Sequence, residues 1–72
     1  MNAFIWHDAS EIPSIALPVI VKTNYVGTYY IAVYDNGWQF KNGKRYVRME
    51  EVKFFSPNEK ITGWAYVNGE SI

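Results

Sequence analysis

Thr28-Tyr29-Tyr30-Ile31-Ala32-Val33-Tyr34-Asp35-Asn36-Gly37-Trp38-Gln39-Phe40 is the stretch that decides the fold class. Seven strand-compatible residues lead into Asn36-Gly37, and aromatic residues resume directly after it. Asn-Gly is the strongest short hairpin signal, because a type I′ turn needs positive φ at both central residues. A two-residue turn there sets Asp35 opposite Trp38, Tyr34 opposite Gln39 and Val33 opposite Phe40. Side chains alternate between faces along a strand. This register therefore predicts a core face of Tyr29, Ile31, Val33, Trp38 and Phe40, and a second face of Tyr30, Ala32, Tyr34 and Gln39.

Working outward, Leu17 to Thr23 reads as the preceding strand, with Pro18 marking an edge or a strand end. Asn24 to Gly27 is a connection of hairpin length. Downstream, Asn42-Gly43 repeats the turn signal. A two-residue loop centred on it would oppose Lys41 and Lys44, and directly opposed like charges are unfavourable. The reading is therefore a longer loop from Lys41 to Arg45. Further strands are expected at Tyr46–Met49, Val52–Phe55 and Ile61–Val67, with a turn at Ser56-Pro57-Asn58-Glu59. Upstream, Asp8 and Glu11 have capping-box spacing and Pro13 follows closely, which predicts one helical turn near residues 8–12 at most. The sum is a mainly β chain: one antiparallel sheet or small barrel of five to six short strands, in a single domain over residues 1–72.

Seventy-two residues leave little room for a core. There is no cysteine and only one histidine, so disulfides and Cys/His zinc frameworks are excluded. Thirteen aromatic residues (three Trp, six Tyr, four Phe) are the available source of packing. Seven basic residues balance seven acidic ones. That balance argues against a dedicated duplex-DNA binder, whose footprint is strongly basic, and tight binding of any nucleic acid is not expected. The longest apolar run, Ile15 to Val21, is far too short to span a bilayer, and the N-terminal apolar stretch, Ala3 to Trp6, is too short for a signal-peptide core. A cytoplasmic protein with no membrane association is the expectation.

Several landmarks then fall in a familiar order: Trp6, Asp8, an acidic residue, Pro13, a Val-Ile-Val strand, Tyr34-Asp35-Asn36-Gly37-Trp38, and Ile61-Thr62-Gly63-Trp64-Ala65-Tyr66-Val67. This order resembles the domain-of-unknown-function five-five-one family, small domains of phages, prophages and bacteria. The family's Trp-x-Pro-Leu-Pro ending is replaced here by Trp64-Ala65-Tyr66-Val67. The resemblance implies a phage or mobile-element context and an accessory role without catalysis. It implies no catalytic residue and no cofactor.

The residues themselves point the same way. His7 and Asp8 are neighbours in an extended segment and face opposite ways, so they make no dyad. Glu50-Glu51 reads as two solvated acids at a strand break. No serine sits in a nucleophile elbow and no glycine-rich phosphate loop is present. Catalytic residues, metal ligands and cofactors are accordingly expected to be absent.

What remains is binding. Aromatic excess on both faces of the expected sheet suggests a protein-interaction or self-association module. Tyr30 and Tyr34 on the second face, with Trp64 and Tyr66 on the last strand, are the candidate contact residues. The last strand is uncharged and has no proline, so it is either interior or an unprotected edge open to a second copy of the chain in a homodimer. The alternative is weak single-stranded nucleic-acid binding by Lys41, Lys44, Arg45 and Arg48, an acid-free strip beside Trp38, Phe40 and Tyr46.

Overall fold

The computed structural model describes residues 1–53 and 55–71. The strands are β1 (Asn2–Ala3), β2 (His7–Asp8), β3 (Val19–Thr23), β4 (Tyr29–Tyr34), β5 (Trp38–Asn42), β6 (Arg45–Arg48), β7 (Ile61–Tyr66) and β8 (Glu70–Ser71). Met49–Glu51 forms one 3₁₀ turn. Six strands make an open antiparallel sheet in the order β2-β7-β3-β4-β5-β6, and β1 pairs separately with β8. The mainly β reading holds, as a sheet that does not close. β7 is interior, flanked by β2 and β3. Its lack of charge is therefore the mark of a buried strand and not of an exposed edge.

The β4–β5 hairpin differs from expectation by one residue. The observed pairs are Ala32↔Phe40, Val33↔Gln39 and Tyr34↔Trp38. The loop is thus three residues long, Asp35 to Gly37, with Asn36 and Gly37 both at positive φ. Asn-Gly supplies the two left-handed residues, but Asp35 joins the turn by donating its N–H to the Gly37 carbonyl at 3.0 Å. A one-residue slip turns every side chain of β4 over. Tyr30, Ala32 and Tyr34 therefore share a face with Trp38 and Phe40, and Tyr29, Ile31 and Val33 lie on the other.

The β5–β6 connection is a two-residue turn of Gly43 and Lys44 joining the pair Asn42↔Arg45. Glycine takes the first central position at φ +68°. This placement sets Lys41 opposite Tyr46, which removes the like-charge conflict without the longer loop. The strand expected at Val52–Phe55 is not formed at the described positions 52, 53 and 55; position 54 lies outside the described residues. The capping-box spacing of Asp8 and Glu11 is realised as a turn: the Asp8 N–H donates to Glu11 Oε2 at 2.9 Å and the Glu11 N–H to the Asp8 carbonyl at 3.0 Å.

Cross-strand rows define the core. Tyr66, Val19, Ala32, Phe40 and Val47 form one row across β7, β3, β4, β5 and β6. His7, Trp64, Val21 and Tyr30 form the next. Val19, Val21, Ala32, Phe40 and Trp64 are the buried centre, and Val52, Phe55 and Ile61 pack against it. This inner face is closed by two crossing segments. The N-terminal one is fixed where Trp64 Nε1 donates to the Glu11 carbonyl at 2.9 Å. The other ends in Glu59, a buried carboxylate that takes hydrogen bonds from the Thr23 and Tyr30 hydroxyls, both 2.8 Å, and from the Ser56 N–H at 3.0 Å.

Candidate functional site

The outer face of the same sheet is not covered in this way. Its rows follow from the same registers. Gly63, Lys22 and Tyr29 form one row, and Ala65, Ile20 and Ile31 the next. Continuing the β4–β5 register sets Lys41 beside Ile31, with Tyr46 beyond it on β6. Val33, Gln39 and Arg48 make a third row. The chain before β2 lies over one end of these rows, so Phe4, Trp6, Ile20, Tyr29, Tyr30 and Ile31 line an open groove of about 430 Å³. Tyr29 is 58% exposed, Phe4 56%, Trp6 42% and Ile31 37%. Contiguous exposure of this kind marks a contact surface more often than a plain solvent face.

Glycine at position 63 makes the arrangement possible. A Cβ there would stand 2.8 Å from the His7 carbonyl oxygen and 3.0 Å from Lys22 Cε. Without it, β2 packs close and the lysine stem lies across the strand. Lys22 Nζ then reaches 4.7 Å from the centre of the Trp6 ring. Trp6 in turn stacks with Tyr29, centroids 6.1 Å apart and planes 29° apart. Farther along, Lys41 Nζ stands 5.7 Å from the Tyr46 ring. Cations over ring faces are mutually favourable by about 0.5–1 kcal/mol at exposed sites.

The residues singled out from the sequence fall differently. Trp64 is 2% exposed and belongs to the core. Tyr30 is half-buried, stacks on Phe55 at 4.7 Å and donates to Glu59; burial first, then the Glu59 carboxylate, pushes its phenol up to about 12. Tyr34 sits edge-on to Trp38 at 5.1 Å on the inner face, and Tyr66 edge-on to Trp64 at 5.0 Å, its hydroxyl accepting from the Ser14 N–H. These four rings turn inward, to the side that holds the core. The rings that stand open, Phe4, Trp6 and Tyr29, are ones the sequence reading left in the core or in the N-terminal arm. Of the basic strip, Lys41 and Arg48 fall on the outer face, while Lys44 occupies the hairpin turn and Arg45 pairs with Asn42 on the inner side. All four are exposed.

A second cluster lies at the other edge. His7 stacks on Trp64 with centroids 4.3 Å apart and pairs with Glu70 at 2.5 Å through Nε2 and with Glu11 at 3.4 Å through Nδ1. The Glu70 hydrogen bond raises the imidazole above its ordinary value of 6.5, opposed by partial burial and supported by Glu11. The arrangement ties β2 to the C-terminal segment and to the Asp8–Glu11 turn. The hydrogen-bond partners of the imidazole are both carboxylates. Among the described residues no group of three or more His, Cys, Asp or Glu is placed to hold a metal ion. No helix among them is long and apolar enough to cross a membrane.

Comparison with known proteins adds no relative to this geometry: no family model, no curated protein and no solved structure matches the chain.

Proposed function

We propose that this chain is a non-enzymatic binding module whose contact surface is the outer face of its sheet. The observation that carries the reading is the contrast in cover. Two segments close the inner face, whereas Phe4, Trp6, Tyr29 and Ile31 line a groove that nothing among the described residues fills. The reading keeps the interaction role expected from the aromatic excess and moves it from Tyr30, Tyr34, Trp64 and Tyr66 to these four side chains. It fits the accessory role in a phage or mobile-element context that the family resemblance implies, and the cytoplasmic location expected from the sequence.

Affinity capture from host extract with paired baits tests the reading. Wild-type protein and a Lys53→Ala control should retain the same partner, because Lys53 is exposed on the segment that crosses the inner face. Tyr29→Ala with Ile31→Ser should lose that partner while keeping a normal unfolding transition. Equal capture by the outer-face variant would refute the proposed surface.

A further inference from the structure

Resting on the outer-face reading, we infer that the occupant of this surface is single-stranded nucleic acid, held by Trp6, Tyr29 and Tyr46 as ring platforms and by Lys22, Lys41 and Arg48 as phosphate contacts.

The chain is neutral in total, but its signs are separated. Lys22, Lys41 and Arg48 all belong to outer-face rows. The rows across β3, β4, β5 and β6 contain no acidic residue. Glu11 and Glu70 are held at His7, and Glu59 is buried on the inner side. Glu50 and Glu51 lie in the 3₁₀ turn and Asp35 in the hairpin loop. Asp8, beyond Gly63 at the far edge, is occupied by the N–H and hydroxyl of Ser10 at 2.9 and 2.6 Å.

A second copy of the chain is a poor match for this face. Two-fold contact would bring together two copies of a patch that carries Lys22, Lys41 and Arg48 with no acid in its β3–β6 rows, and like-charged patches brought together oppose association. The complement has to be anionic and has to offer flat apolar groups between its charges. A single nucleic-acid strand does both, since its phosphates repeat and its bases are free to stack. A duplex keeps its bases inside and cannot use the rings. The cations already stand against ring faces, Lys22 over Trp6 and Lys41 over Tyr46. Lys44, exposed in the β5–β6 turn, extends the cationic track beyond the sheet.

Fluorescence anisotropy with labelled oligothymidylate and oligouridylate of about fifteen nucleotides, and with a duplex of equal length, tests the assignment. Both single strands should bind in preference to the duplex. Tyr29→Ala should weaken single-strand binding roughly tenfold or more, the effect of losing one stacking platform. Lys41→Ala should reduce the slope of log affinity against log salt by about 0.7, the share of one phosphate contact on a single strand. Lys53→Ala should change neither value, and thermal unfolding of each variant confirms that it is folded. Absence of single-strand binding at low salt would overturn the assignment. So would binding that favours the duplex or ignores Tyr29→Ala. If oligonucleotides fail to bind while a protein partner is still lost from Tyr29→Ala bait, the nucleic-acid assignment falls and the outer-face reading stands. Loss of neither removes both.

Discussion

The inner and outer faces of this sheet are made of the same kinds of residue. Val19, Val21, Tyr30, Phe40 and Trp64 lie on one, and Ile20, Tyr29, Ile31 and Tyr46 on the other. Their fates differ because of what crosses them. Residues 9–18 and, among the described ones, 49–53 and 55–60 pass over the inner side, where Glu11 anchors Trp64 and Glu59 anchors Tyr30. Among the described residues, the short N-terminal arm with Phe4 and Trp6 is what reaches the groove on the outer side. Hydrophobic composition marks a face as able to be buried. Which face becomes core is decided by the segments that can close over it with their polar groups satisfied.

That contrast is open to breaking, most severely through the inner face. Phe40→Ala or Trp64→Ala should cost about 3–5 kcal/mol, a large part of the stability of a small domain. Thermal unfolding should show either variant largely unfolded near ambient temperature, whereas Tyr29→Ala should stay within about 0.5–1 kcal/mol of wild type.

Gly63→Ala probes the join between the faces. Its Cβ would meet the His7 carbonyl oxygen, which is backbone and cannot swing aside. Overpacking of this kind should cost about 1–3 kcal/mol and release β2, visible as faster amide exchange at the residues of the N-terminal arm.

Tyr30→Phe sharpens the account of the inner cover. It keeps the ring and removes one donor to the buried Glu59 carboxylate. Hydrogen bonds to charged groups contribute about 1.5–3 kcal/mol, and urea unfolding should report a loss in that range. Burial pushes the Glu59 carboxyl up, but the Ser56 N–H and the Thr23 and Tyr30 hydroxyls outweigh it and leave the group below its ordinary 4.5. Its contribution is therefore present above 4.5 and lost as pH falls through the lowered folded value. Tyr30→Phe should raise the pH at which acid unfolding begins.

The smallest expected effect is at His7. Its folded value lies above 6.5, so the stabilisation it contributes is complete below 6.5 and disappears as pH rises through the folded value. Glu70→Gln should flatten that slope and lower the imidazole titration followed by NMR. An unchanged His7 titration in Glu70→Gln would contradict the pairing.

Much of the fold was legible from residues alone. The β3, β4, β5, β6 and β7 segments, the Asn36-Gly37 turn and the mainly β class all follow from strand formers broken by turn residues. The β5 face was also readable, because Gln39 and Lys41 are polar at alternate positions and point Trp38 and Phe40 inward. β4 carries no such mark. Tyr29 to Tyr34 is apolar or aromatic at every position, so its facing depended wholly on loop length, and Asp35 entering the turn reversed it. The slip passed directly to the facing of β4: Tyr30 and Tyr34, expected on the second face, stand on the core side, and Tyr29 and Ile31 on the outer one. Ile61–Val67 had the same ambiguity, resolved toward Trp64 by a backbone carbonyl of Glu11 that no local pattern announces. The pairing of His7 with Glu70 joins residues 63 positions apart and had no sequence signal. The basic strip was visible as composition, but the placing of Lys41 and Arg48 on one face with Lys22 and Tyr29 needed the strand order.

The register of β4 is the point on which the account turns, and two adjacent substitutions test it most directly. Threonine keeps strand preference while removing a ring, so Tyr29→Thr and Tyr30→Thr can be compared by urea unfolding with little confounding from propensity. Tyr30→Thr should lose about 3 kcal/mol or more, through lost packing and a lost donor to Glu59, and Tyr29→Thr should change stability by about 0.5 kcal/mol or less. The opposite ranking, with Tyr29→Thr the damaging change, would restore the two-residue turn and contradict the assignment of the outer face.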